Sequence, residues 1–186
     1  MIHEVVPLIA SELRDYLVSK FDASGDVVKM STLANQDGST ALKEENVVVV
    51  TLVNVERDGS NMLAGGSGKG NMPVYVNLYV MFSTYFTDYV ESLKFLSGVI
   101  GYFQANPNYL HMGNSLKIEL FNIDFRELSN LWMAVGGKYL PSVVYRIRTL
   151  DMDEDLISDE IPPVAGMTFD PDIPGPDILN PPVAGL

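Results

Sequence analysis

The chain predicts an α+β fold: a mixed, mainly antiparallel sheet packed by about three helices, followed by an extended proline-rich tail. Three observations carry this expectation. Val47–Val55, VVVVTLVNV, is a short β-branched run bounded by polar residues, as in a strand covered on both faces. Met81–Tyr109 is the longest segment with helical periodicity, its Tyr85, Tyr89, Leu93, Leu96, Ile100 and Phe103 recurring at three- and four-residue steps. Beyond Arg148 the composition changes, with nine of the 24 acids, seven of the 11 prolines and none of the 12 bases. These predict a domain over residues 1–150 and an acidic arm over 151–186.

In chain order, Ile2–Phe21 predicts an amphipathic helix with Val5, Ile9, Leu13, Tyr16 and Leu17 on one side. Pro7 suits only a first turn, so regular helix is expected to begin near it. Ser24-Gly25 ends the segment, Val27–Ser31 is a short strand, and Gln36-Asp37-Gly38-Ser39 has turn composition. Val47–Val55 and Pro73–Phe82 form an antiparallel pair. Between them Arg57–Met72 is too long and glycine-rich for a tight hairpin, which predicts a mobile tip.

In the long helix, Asp88 and Glu91 have capping-box spacing, and Asn106 before Pro107 stops it. Phe95 and Tyr102 fall nearly opposite the stripe, beside Glu91 and Lys94. Two large aromatics there meet either another element of the fold or another subunit. Ser115–Ile123 alternates as a strand, Phe125–Val135 is a short helix stopped by Gly136-Gly137, and Val143–Thr149 is the last strand, with Pro141 at its start.

The arm contains a near-repeat, Ile161-Pro-Pro-Val-Ala-Gly-Met and Asn180-Pro-Pro-Val-Ala-Gly-Leu. Such a segment builds no core of its own and should be extended. It is either a solvated tail or an arm laid on a neighbouring subunit. Its apolar residues, among them Phe169, Ile173, Leu179 and Val183, exceed what a solubilising tail needs.

Several chemistries are excluded on residue grounds. The chain has no cysteine, so disulfides, thiolate catalysis and Cys-based metal sites are absent. Its formal charge of −12 makes nucleic acid an unfavourable partner. No apolar run is long enough to cross a membrane, and acids interrupt the apolar N-terminal stretch, so no signal peptide is expected. Gly65, Gly66, Gly68 and Lys69 invite comparison with a phosphate-binding loop. Leu63 stands where its first glycine belongs, however, Gly70 replaces the metal-binding hydroxyl, and a strand follows. Asp151, Asp153 and Asp155 open like a calcium loop, but Leu156 and Pro162 occupy its glycine and glutamate positions. His3 and His111 have no ligand-spaced partners, and no serine sits in a nucleophile elbow. No active site, cofactor or metal is expected.

Phe86–Asn106, FTDYVESLKFLSGVIGYFQAN, and Leu128–Arg148, LSNLWMAVGGKYLPSVVYRIR, together resemble the N-terminal domain of cap, or tail-terminator, proteins of extracellular contractile injection systems. These are phage-tail-like particles of the virulence-cassette and antifeeding-prophage kind. The opening IHEVVPLIASEL and the strand ENVVVVTLVNVERD fit the same pattern. So does the combination of Tyr89, Leu93, Leu96, Phe103 and Gln104 with Leu131-Trp132, Gly136-Gly137 and Pro141-Ser142. The resemblance implies a structural protein, not an enzyme. It implies a ring, taken to be a hexamer, that ends the inner tube, with the sheath finishing around it. Assembly is then expected in the cytoplasm, before the particle acts outside the cell.

The partners implied are further copies of the chain, the tube protein, the sheath protein and a second cap protein. Phe95 and Tyr102 become candidates for the intersubunit seam, and the glycine-rich tip and the arm become candidate contacts. Longer relatives continue further, which leaves a terminal cap and an adaptor both open. The alternative is a small-molecule- or protein-binding α+β domain with no role at a tube.

Overall fold

The β-branched runs assemble into one six-stranded sheet, ordered β1-β2-β3-β6-β5-β4. Its strands are β1 (Val28–Met30), β2 (Val47–Arg57), β3 (Val76–Tyr85), β4 (Asn108–His111), β5 (Asn114–Phe121) and β6 (Ser142–Thr149), with helices α1 (Ile2–Phe21), α2 (Tyr89–Ala105) and α3 (Phe125–Val135). The structure, a computed structural model, describes residues 2–23, 25–35, 37–42, 44–59, 75–111 and 114–149. All of them belong to one unit over Met1–Glu154. The glycine-rich tip and the acidic arm, with Gly65, Gly66, Gly68, Lys69, Phe169, Ile173, Leu179 and Val183, lie outside the described residues.

Only β1 and β2 pair in parallel; every other neighbouring pair is antiparallel. The expected α+β class with a mixed, mainly antiparallel sheet is therefore what forms. Central β3 is buried from Asn77 to Thr84 on both faces. In β2 only Val47–Thr51 are buried, and the strand emerges into solvent past a register shift between Leu52 and Asn54. The expectation of a strand covered on both faces holds for half its length; beyond Thr51 only Val53 stays partly buried, against the α3-side core.

The sheet carries a different core on each face. On one, α1 and α2 pack Ile9, Leu13, Leu17, Val99 and Phe103 against Val48, Val50, Leu78, Val80, Phe82, Tyr145 and Ile147. On the other, α3 and the segment holding Leu33 cover Val47, Val49, Tyr79, Met81 and Val144. Strand alternation sends successive residues into these two layers. α1 begins at Ile2 with Pro7 inside it, earlier than Pro7 predicts. The proline costs the helix one hydrogen bond near its start, and burial of Val5, Val6 and Ile9 offsets that loss.

α2 differs most from expectation. The first residues of the periodic stretch continue β3, and the helix starts at Tyr89. The Asp88 carboxylate caps it by accepting from the Val90 amide at 2.7 Å. Glu91 completes no capping box and pairs with Lys94 instead. Asn106 caps the C-terminus, as Pro107 demands.

The buried face is Ser92, Phe95, Gly98, Val99, Tyr102 and Phe103, while Tyr89, Leu93 and Ile100 are exposed. Phe95 and Tyr102 are 4% and 6% exposed, so they are core residues of the protomer, not seam residues. The small residues decide which face turns inward. A Cβ on Gly98 would stand 2.6 Å from Phe21 Cε2 and 2.8 Å from Leu17 Cδ2, so only glycine lets α1 approach there. Ser92 lets Thr84 of β3 approach likewise, with the two hydroxyls 2.7 Å apart.

Candidate assembly surfaces

α3 is amphipathic but short. The Asp124–Glu127 capping box starts it, and Gly136 ends it with φ 68, a conformation that disfavours any side chain. Trp132 is its one buried residue. Leu128, Leu131 and Val135 are partly buried and pack beside it, whereas Phe125 is 93% exposed, and Met133 and, after the helix, Tyr139 are also open to solvent. Between them lies a groove of about 340 Å³, lined by Phe125, Leu128, Trp132, Met133, Gly137 and Tyr139. The Trp132 and Tyr139 rings meet edge-on, with centroids 5.6 Å apart. Sequence reasoning missed Phe125 and Tyr139 as site residues. The available signal was a helix of 11 residues flanked by more aromatics than its single buried row can hold.

A second hollow, of about 290 Å³, opens on the opposite flank of α3, between the outer half of β2 and Phe121, Ile123 and Leu131. Its far wall is polar, with the Tyr79 hydroxyl donating to Glu56 at 2.5 Å. That hydrogen bond is the main cause that raises the tyrosine's pKa, with burial second. Beyond Tyr79 the sheet face is charged. Glu119 accepts from Lys117 at 2.7 Å and from Arg146 at 2.9 Å, with Arg148 3.4 Å away. Arg146 and Arg148 thus both find an acid of the same chain here. Arg126 of α3 and Lys138 after it have no ion pair among the described residues.

Lys117 first, then Arg146, hold the Glu119 carboxyl below its ordinary pKa of 4.5. A carboxylate depressed in the folded state adds stability above its unfolded pKa and loses it as pH falls through the folded value. Glu119→Gln is therefore expected to flatten the loss of stability below about pH 4.5. Denaturant midpoints between pH 7 and pH 3 check this; parallel acid limbs for variant and parent would refute it.

α2 presents a third apolar surface, Tyr89, Leu93 and Ile100, where the buried stripe was expected. At the chain's start, His3 and His111 converge on Glu4, at 3.7 and 3.9 Å. The described residues contain no His, Cys, Asp or Glu group arranged to hold a metal. None of their helices is long and apolar enough to cross a membrane.

Two open hollows thus flank α3, the first walled by Phe125, Trp132 and Tyr139. The Pvc16 N-terminal domain family matches residues 4–166, and the chain belongs to it. Two cryo-EM structures share the fold. One is the sheath/tube terminator of the PVC extracellular contractile injection system in its extended state, with TM-score 0.59 and 14% identity over 83% of this chain and 57% of that one. The other is the tube-terminating cap of the anti-feeding prophage, with TM-score 0.61 and 14% identity over 91% of this chain and 61% of that one. The chain thus spans about three fifths of either structure. No curated protein matches it.

Proposed function

We propose that this protein ends the inner tube of a phage-tail-like contractile injection particle, closing a ring on the last tube layer and anchoring the distal sheath. Membership of the Pvc16 N-terminal domain family over residues 4–166 carries this reading. The shared fold with two tube-terminating proteins favours it over a stand-alone binding domain.

The physical requirement is specific. Tube subunits add head-to-tail, a heterologous contact that continues without limit unless something covers it. A terminator must dock on one such face and present nothing that templates further growth. The sheet suits that task, since its edge strands β1 and β4 have only 3 and 4 residues. Edges so short offer little backbone for open-ended strand addition.

The partners are further copies of the chain, six in a closed ring, together with tube and sheath proteins and a second cap protein if this copy is an adaptor. The particle is put together in the cytoplasm and acts outside the cell, and no bond is made or broken by this subunit. The tip with Gly65, Gly66, Gly68 and Lys69 is assigned to the tube, and the arm with Phe169, Ile173, Leu179 and Val183 to a neighbouring subunit. Phe95 and Tyr102 hold the protomer together and take no part.

Polymerising the tube protein with increasing amounts of the chain tests this. Mean tube length should fall with its concentration, and electron microscopy should show rings at tube ends. Unchanged lengths with bare tips would overturn it.

A further inference from the structure

We infer that the α3 groove is a receptor for the Pro-Pro-Val-Ala-Gly segment of a second copy of this chain. This rests on the reading that copies meet in a ring, and it names the contact that joins them.

Three independent observations converge. The first is the groove itself. Phe125 and Tyr139 line it together with the buried Trp132, and both stand open to solvent among the described residues. Aromatic-walled grooves of this kind suit proline-rich segments, whose preformed polyproline conformation loses little entropy on docking and whose flat rings lie against aromatic faces. Gly137 lets the chain after α3 lie close against Leu33 and Trp132, because a Cβ there would stand 3.2 Å from Leu33 Cβ and 3.4 Å from Trp132 Cζ3.

The second is the repeat. Pro162-Pro163-Val164-Ala165-Gly166 recurs as Pro181-Pro182-Val183-Ala184-Gly185, and both copies end on an apolar residue, Met167 or Leu186. Repetition of an apolar proline motif within an acidic arm fits two chances at one receptor better than it fits solvation. The 12 residues between Thr149 and Pro162 span at most about 40 Å when extended, enough to reach beyond one small domain.

The third is charge. Arg126 and Lys138, which flank the groove in sequence, lack ion pairs among the described residues. Asp159 and Glu160 immediately precede the first repeat, and no base lies anywhere beyond Arg148. Cations beside the receptor and anions beside the ligand would steer the docking and set its direction.

Trp132 is the only tryptophan in the chain, so its fluorescence reports the groove directly. The receptor for the test is the full chain carrying P162S, P163S, P181S and P182S, in which its own repeats no longer compete. A peptide of residues 158–169 should change the Trp132 emission saturably, and the same peptide with both prolines replaced by serine should not. Adding Phe125→Ala and Tyr139→Ala to the receptor should weaken binding by about tenfold or more, as loss of central aromatic anchors does. Both side chains are exposed, so the fold survives their removal.

Sedimentation of the unaltered chain should show concentration-dependent association, and the four serine substitutions should move its midpoint upward by about the same factor. No emission change, an equal response to the serine peptide, or binding indifferent to Phe125 and Tyr139 would overturn the proposal. Peptide binding without any effect of the four substitutions on association would overturn the assignment to a second copy. The tube-length assay is independent of all these outcomes, so failure here and failure of the terminator reading are separable.

Discussion

Replacing Phe95 by alanine is expected to cost about 3–5 kcal/mol of folding stability, the range for removing a fully enclosed aromatic ring. The site is crowded on three sides. Phe86 stacks on Phe95 with centroids 4.5 Å apart, Phe21 of α1 lies at 4.9 Å, and the Lys94 ammonium sits 5.8 Å over the ring. Truncation would leave a cavity where α1, α2 and the end of β3 meet, and none of these can collapse into it without losing its other contacts.

Tyr102→Ala acts on the same helix pair, where its ring lies 5.0 Å from Tyr16 and its hydroxyl donates to Glu12 at 3.2 Å. Tyr102→Phe keeps the ring and loses only that bond, so about 1 kcal/mol is expected. Guanidinium unfolding of the three variants gives the ordering directly. If Phe95→Ala retained full stability while subunit association fell, the ring would belong to an intersubunit seam after all.

This expectation reverses the one drawn from periodicity, and the reversal has a physical cause. α2 carries two apolar stripes: Tyr89, Leu93, Leu96 and Ile100 on one side, and Phe95, Val99, Tyr102 and Phe103 on the other. Three- and four-residue spacing fits both stripes and cannot choose between them. The choice was written in residues that periodicity counts as neutral, since Gly98 and Ser92 mark the side on which α1 and β3 come closest. The apolar side left outside, with Tyr89 65% exposed, is then surplus to folding and available to a partner.

Elsewhere the local code was sufficient. α3 runs from Phe125 to Val135 because Asp124, Glu127 and Gly136 supply both caps from within the segment. β6 follows its alternation, and the β2–β3 pair forms as the two runs require. β4 was missed because a strand of 4 residues carries too few positions for alternation to register. The charged cluster at Glu119 was equally hidden. It draws on residues 117, 119, 146 and 148, and only the antiparallel register of β5 with β6 sets Glu119 opposite Arg146 and Lys117 opposite Arg148. The groove needs α3 and the chain that follows it to lie side by side, which no sequence period announces.

Trp132→Ala should be as costly as the Phe95 change, about 3–5 kcal/mol, but distributed differently. Trp132 is the only side chain that α3 buries, and its ring joins Leu33, Val47, Val49, Met81 and Val144 in the smaller of the two cores. Without it, α3 keeps its caps but loses its main apolar attachment to the sheet. The larger core beneath α1 and α2 shares no residue with that cluster. Local opening of α3 should therefore become easier than opening of the opposite layer. Amide hydrogen exchange resolves the two layers: α3 amides should lose protection first, ahead of those in α1, α2 and β3. Equal loss on both faces would mean that the two cores melt together, in which case the groove cannot be loosened without unfolding the subunit that carries it.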